Sequence, residues 1–144
     1  MLLNESELTI LLVEDNLGHA RLVEKNLRRS NVKSEIVVLE DGGLALDYLL
    51  GDGATIRLRT PHLILLDLNL PVVDGYQVLR QLKANASTRQ IPVVVLTTTD
   101  DPHEVARCYE MGCNAYISKP VDYGKLSEAL YKLGLFLSIV SIPE

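Results

Sequence analysis

Five short apolar runs, "LTILLVE" (8–14), "EIVVLE" (35–40), "HLILLD" (62–67), "PVVVLT" (92–97) and "AYIS" (115–118), are spaced through a chain of 144 residues. Most are continuous rather than alternating and rich in Val, Ile and Leu, which suits strands buried on both faces of a parallel sheet. Helical spacing fills the gaps. Ala20, Val23 and Leu27 recur through 17–29 behind Asn16 as N-cap, and a second pattern covers 44–50 between Gly43 and Gly51. Val78, Leu79 and Leu82 face inward in 74–84. The segment 102–111 has Asp101 as cap, Pro102 at its first position and Gly112 at its end, and Leu126, Ala129, Leu130 and Leu133 share a face in 122–136. Strand and helix alternate five times, which predicts a doubly wound α/β domain: a five-stranded parallel sheet with helices on both faces. The stretch "GDGATIRLRT" (51–60) reads as a loop.

Several function classes are disfavoured at once. Hydrophobic residues make up 47% of the chain, yet no run approaches the roughly 20 apolar residues of a membrane helix, and no signal peptide is visible. A cytoplasmic protein without a membrane partner is expected. The net charge is −5, with 14 Lys and Arg against 19 Asp and Glu, and Trp is absent. An acidic chain poor in aromatics suits neither phosphate contacts nor base stacking, so no nucleic-acid partner is expected. Cys108 and Cys113 read as reduced thiols, with no CxxC or Cys/His cluster around them. Neither GxGxxG nor GxxxxGK[ST] occurs.

Ligands of open parallel sheets bind beyond the carboxyl ends of the strands. The first run closes on Glu14 and Asp15, the third on Asp67, the fourth on Thr97 followed by Thr98 and Thr99, and the fifth on Ser118, Lys119 and Pro120. Carboxylates gathered in one crevice repel, so their pKa values rise or a cation sits among them. A few hard oxygen ligands suit Mg²⁺. With a lysine and a hydroxyl beside them, the set fits phosphoryl transfer in which a carboxylate is the nucleophile. Taken singly, each residue has an ordinary alternative: Asp67 as a cap or turn residue, Glu14–Asp15 as a helix cap, Lys119 as a surface lysine. Their common place at the strand ends is what favours chemistry.

The segments "LLVEDN" (11–16), "LILLDLNLPVVDG" (63–75), "PVVVLTT" (92–98) and "GCNAYISKP" (112–120), with their spacing, resemble the receiver domain of two-component response regulators over about 8–133. The resemblance implies a flavodoxin-like (βα)5 fold and names Asp67 as phospho-acceptor. Asp15, Glu14, Asp67 and the backbone carbonyl of Asn69 would hold Mg²⁺. Thr97 and Lys119 would contact the phosphoryl group, and Tyr116 with Thr97 would form the switch. Lys119–Pro120 would be a cis peptide, Gly75 would close the turn before the third helix, and Asn69 and Thr99 would tune dephosphorylation. More narrowly, the long loop at 51–60, "LDLNLPVVDG", "IPVVVLTTTD" and the tail "FLSIVSIPE" resemble the single-domain regulators that partner bacterial phytochromes.

The resemblance implies a regulator phosphorylated by a sensor histidine kinase, with a bacteriophytochrome as the candidate. It would catalyse only its own phosphorylation and dephosphorylation and would not otherwise be an enzyme. With neither a helix-turn-helix segment nor a basic patch, a stand-alone regulator or phosphorelay intermediate is expected: one receiver domain over 1–144, with its core at about 8–135 and an apolar extension at 136–144. That extension, with Phe136, Leu137, Ile139, Val140 and Ile142, either folds back or pairs in a homodimer built on the fourth helix, fifth strand and fifth helix. Two alternatives carry less. A haloacid-dehalogenase phosphatase needs a second Asp where Asn69 stands, and a receiver-like binding module would not need the full set of strand-end residues. An EF-hand is excluded by Pro71 and Val72 in its loop.

Overall fold

The computed structural model describes residues 8–30, 34–51 and 60–137. Strands β1 (Leu8–Val13), β2 (Ser34–Leu39), β3 (Leu63–Leu66), β4 (Val93–Thr97) and β5 (Ala115–Ser118) alternate with helices α1 (Leu17–Arg29), α2 (Gly42–Leu50), α3 (Gly75–Ala84), α4 (Pro102–Glu110) and α5 (Tyr123–Leu137). All pairings are parallel and the strand order is β2-β1-β3-β4-β5, the flavodoxin-like order.

The continuous apolar runs are explained by burial on both faces. Because side chains alternate across a strand, β1 sends Leu11 and Val13 to one face and Ile10 and Leu12 to the other. The first face is covered by Ala45 and Leu49 of α2, by Val78, Leu79 and Leu82 of α3 and by Cys108 of α4. The second is covered by Ala20, Val23 and Leu27 of α1 and by Leu126, Leu130, Leu133 and Leu137 of α5. Both cysteines are free and buried, and burial raises both thiols, Cys108 to about 11.

Helix starts follow the capping residues. The side chains of Asn16 and Asp101 accept from the N–H of His19 and His103, and Pro102 opens α4. The largest boundary difference from the sequence reading is at α2. Gly42 and Gly43 lie inside α2, whose cap is Asp41, accepting from Leu44 N–H at 2.7 Å. A β-carbon on Gly42 would lie 1.8 Å from the carbonyl oxygen of Val73, so glycine is there for the close approach of α2 to the loop after β3. The 52–59 part of the predicted loop and Ile139, Val140 and Ile142 of the tail lie outside the described residues. Among the described residues, no helix is long and apolar enough to cross a membrane.

Candidate functional site

The strand order fixes where a crevice can form. From β1 the chain steps to β2 on one side, then crosses back to β3 on the other, so the connections part above the adjacent ends of β1 and β3. Glu14 and Asp15 leave β1 there and Asp67 leaves β3. The N–H of Asp67 donates to Val13 O at 3.0 Å and that of Glu14 to Leu39 O at 3.0 Å. The ladder therefore sets both residues before any side chain acts. Glu14 and Asp67 are buried and Asp15 is exposed. One carboxylate oxygen from each of the three lies within 4.8 Å of the other two.

Lys119 arrives from the end of β5, its N–H donating to Thr97 O at 2.6 Å. Its buried ammonium donates to Glu14 Oε1 at 2.7 Å and to Asp67 Oδ2 at 3.3 Å. One ammonium among three carboxylates leaves a negative excess. The strain shows at Glu14, whose carboxyl is pushed up to about 7, first by burial and also by the charge of Asp67, against the lowering influence of Lys119. Closely gathered oxygens with one exposed member, open to water, fit Mg²⁺, which keeps part of its hydration shell.

The remaining predicted residues surround this centre. Thr97 is fully buried at the end of β4, and Asn69 Nδ2 reaches its Oγ1 at 3.5 Å. The N–H of Asn69 donates to Asp67 Oδ1 at 3.1 Å. Tyr116 is half-buried on β5, and its hydroxyl donates to Thr99 O at 2.6 Å, which ties β5 to the segment leading into α4. Burial raises the Tyr116 phenol to about 12. Gly75 does more than close a turn: a β-carbon there would sit 2.3 Å from Asp67 O and 2.5 Å from Leu68 Cα. Only glycine lets α3 start against the backbone that carries Asp67. The expected cis peptide is corrected: Lys119–Pro120 is trans. Trans is the preferred X–Pro form by about 0.5–1 kcal/mol, and this backbone already delivers Lys119 to the carboxylates.

The model of the response regulator receiver domain matches residues 10–131. The chain belongs to the response regulator receiver family. It is 39% identical to response regulator Rcp1 of Synechocystis over 93% of this chain and 92% of that one. It superposes on the Mn²⁺-bound form of Rcp1 with a TM-score of 0.89, at 38% identity over 95% of this chain and 99% of that one. The phosphorylated cyanobacterial phytochrome response regulator RcpA gives 0.88, at 37% identity over 96% and 99%. A receiver domain from Rhodospirillum rubrum gives 0.85, at 48% identity over 94% and 97%.

Two features of this receiver escaped the sequence reading. His19, on the first turn of α1, places Nδ1 3.1 Å from Lys119 Nζ. The signal was Asn16: a helix starting there turns residue 19 back over its own cap. The second feature joins α3 to α4. The Tyr76 hydroxyl donates to the Glu104 carboxylate, and Arg107 stacks 4.3 Å above the Tyr76 ring. Nothing in the spacing of 76 and 104 announces that pair.

Proposed function

We propose that Asp67 is the phospho-acceptor of this response regulator receiver. The observation that carries this is the buried Lys119 ammonium held against Asp67 and Glu14 at the mouth of β1 and β3. An Asp67 oxygen attacks phosphorus of a phosphohistidine. The P–N bond breaks, its electron pair returns to the imidazole, and an acyl phosphate forms on Asp67. Asp15, Glu14, Asp67 and the Asn69 carbonyl would hold Mg²⁺, which would supply positive charge toward the phosphoryl oxygens. Lys119 pairs with one of those oxygens and the Thr97 hydroxyl donates to another. As Thr97 is drawn toward the phosphoryl group, Tyr116 and the Thr98–Thr99 segment shift an existing equilibrium of the α4–β5 face. Asn69 and Thr99 tune the return reaction. The chain catalyses its own phosphorylation and dephosphorylation and no other turnover.

The donor is a sensor histidine kinase of the bacteriophytochrome type. The likeness to RcpA over nearly the full length of both chains supports this. Residues 1–144 act as one receiver unit in the cytoplasm. The output is a protein surface, a homodimer through α4, β5, α5 and the apolar extension, supported by the exposed Tyr109 and Phe136. Removing the residues after Leu135 should dissociate that dimer in sedimentation, and an unchanged mass would count against it.

Intact mass after incubation with a small phosphodonor tests the central assignment. Wild type should gain one phosphoryl group only with Mg²⁺, and Asp67→Asn none. No gain in wild type under any condition would leave a receiver-shaped binding module.

A further inference from the structure

An ammonium has three donors and no acceptor. Lys119 Nζ has three partners at hydrogen-bonding distance: Glu14 Oε1 at 2.7 Å, His19 Nδ1 at 3.1 Å and Asp67 Oδ2 at 3.3 Å. Against such a donor His19 Nδ1 can only accept, which places the ring proton on Nε2 and leaves the imidazole neutral. The surroundings agree, since burial and then the Lys119 charge hold His19 below its ordinary pKa, against the opposing pull of Asp67 and Asp15. The residue is also held in place. The backbone N–H of His19 donates to Asn16 Oδ1 at 3.0 Å as part of the α1 cap, and its ring centroid lies 6.0 Å from that of Tyr123 on α5, tilted by 54°.

The three partners of Lys119 differ in what phosphorylation does to them. Asp67 loses its free carboxylate when the acyl phosphate forms. Glu14 would be drawn on by a bound cation. His19 undergoes neither change. We propose that His19 is a positioning residue for phosphoryl transfer, a neutral acceptor that keeps the Lys119 ammonium aimed at Asp67 while the two carboxylates change partners. This rests on Asp67 as the acceptor. Preorganising a charged group in this way removes the need to reorient it as the transition state forms.

The test compares His19→Leu with His19→Asn, whose Oδ1 can occupy the place of Nδ1. With acetyl phosphate and Mg²⁺ both saturating, His19→Leu should lower the maximal rate of Asp67 phosphorylation about tenfold to a hundredfold, the worth of one hydrogen bond to a charged group. The half-saturating donor and Mg²⁺ concentrations should stay as in wild type, and His19→Asn should recover most of the rate. A second arm needs no phosphorylation and no variant of His19. In ¹⁵N spectra of wild type, His19 should be protonated on Nε2 only, and Lys119→Met should move its Nδ1 resonance.

Equal loss in both variants, no loss in His19→Leu, an effect confined to Mg²⁺ affinity, or a proton on Nδ1 would each overturn the inference. A wild type that is never phosphorylated would remove the Asp67 reading with it. A labelled wild type with indifferent variants would remove this inference alone.

Discussion

Two helix pairs on opposite faces of the sheet, α1 with α5 and α3 with α4, are held together by different means. Beneath one face, α1 and α5 are locked together. Asn26 Nδ2 donates to Ser127 Oγ at 3.0 Å, Ser30 Oγ donates to Tyr131 O at 3.0 Å, and Arg29 stacks 4.7 Å over the Tyr131 ring. The helices approach so closely at Gly134 that an added β-carbon would lie 2.3 Å from Ser30 Oγ. Above the other face, α4 buries Cys108 alone, and its bonds to α3 are the polar set of Tyr76, Glu104 and Arg107. Extensive apolar burial costs several kcal/mol to undo, whereas a partly exposed hydrogen bond is worth about 1 kcal/mol. The α4 side should therefore open at lower free energy than the α1–α5 side. Thr97 and Thr99 lead from the site directly into that weaker side, so a change at Asp67 meets the least resistance there.

The sharpest way to break this contrast is to cut equivalent apolar contacts. Leu130→Ala should lower global stability by about 2–5 kcal/mol, read by urea unfolding. Cys108→Ala should cost roughly 1 kcal/mol. If Cys108→Ala cost as much as Leu130→Ala, α4 would belong to the rigid part. Gly134→Ala tests the close approach itself and should cost about 1–3 kcal/mol through overpacking against Ser30. A neutral result would mean that α1 and α5 can slide apart. Tyr76→Phe removes the bond to Glu104 and should change global stability by at most about 1 kcal/mol. Amide exchange should quicken several-fold in α4 and stay unchanged in α1 and α5.

The remaining expected effect concerns the site. A carboxyl raised in the folded state binds its proton more tightly there than in the unfolded chain. Without a divalent cation, the Glu14 contribution to stability should fall as pH rises from its ordinary 4.5 toward about 7. Proton and cation compete for the same cluster, so apparent Mg²⁺ affinity should increase with pH over that window and level off above it. Titrations with Mg²⁺ at about pH 5.5 and pH 8 would show this, and equal affinities would contradict the buried Glu14.

What could be read from the chain alone follows the same division between local and distant causes. The continuous Val, Ile and Leu runs, the Asn16 and Asp101 caps and Pro102 are local signals, and they placed the elements to within about two residues. The gathering of Glu14, Asp15, Asp67 and Lys119 was legible because strand ends of a parallel sheet share one edge. Gly42 was misread as lying before its helix because its reason is the Val73 carbonyl, which only the folded chain brings near. The Asn16 cap set His19 on the first turn of α1, but its pairing with Lys119 and the Tyr76–Glu104 bond were not legible, because each partner comes from another element.

Hydrogen exchange on the whole chain, with and without phosphorylation of Asp67 by excess small phosphodonor and Mg²⁺, tests the account most directly. Altered protection should concentrate between Thr97 and Glu110 and at β5, with α1 and α5 unchanged. Changes centred on the α1–α5 pair, or none anywhere once Asp67 is phosphorylated, would contradict it.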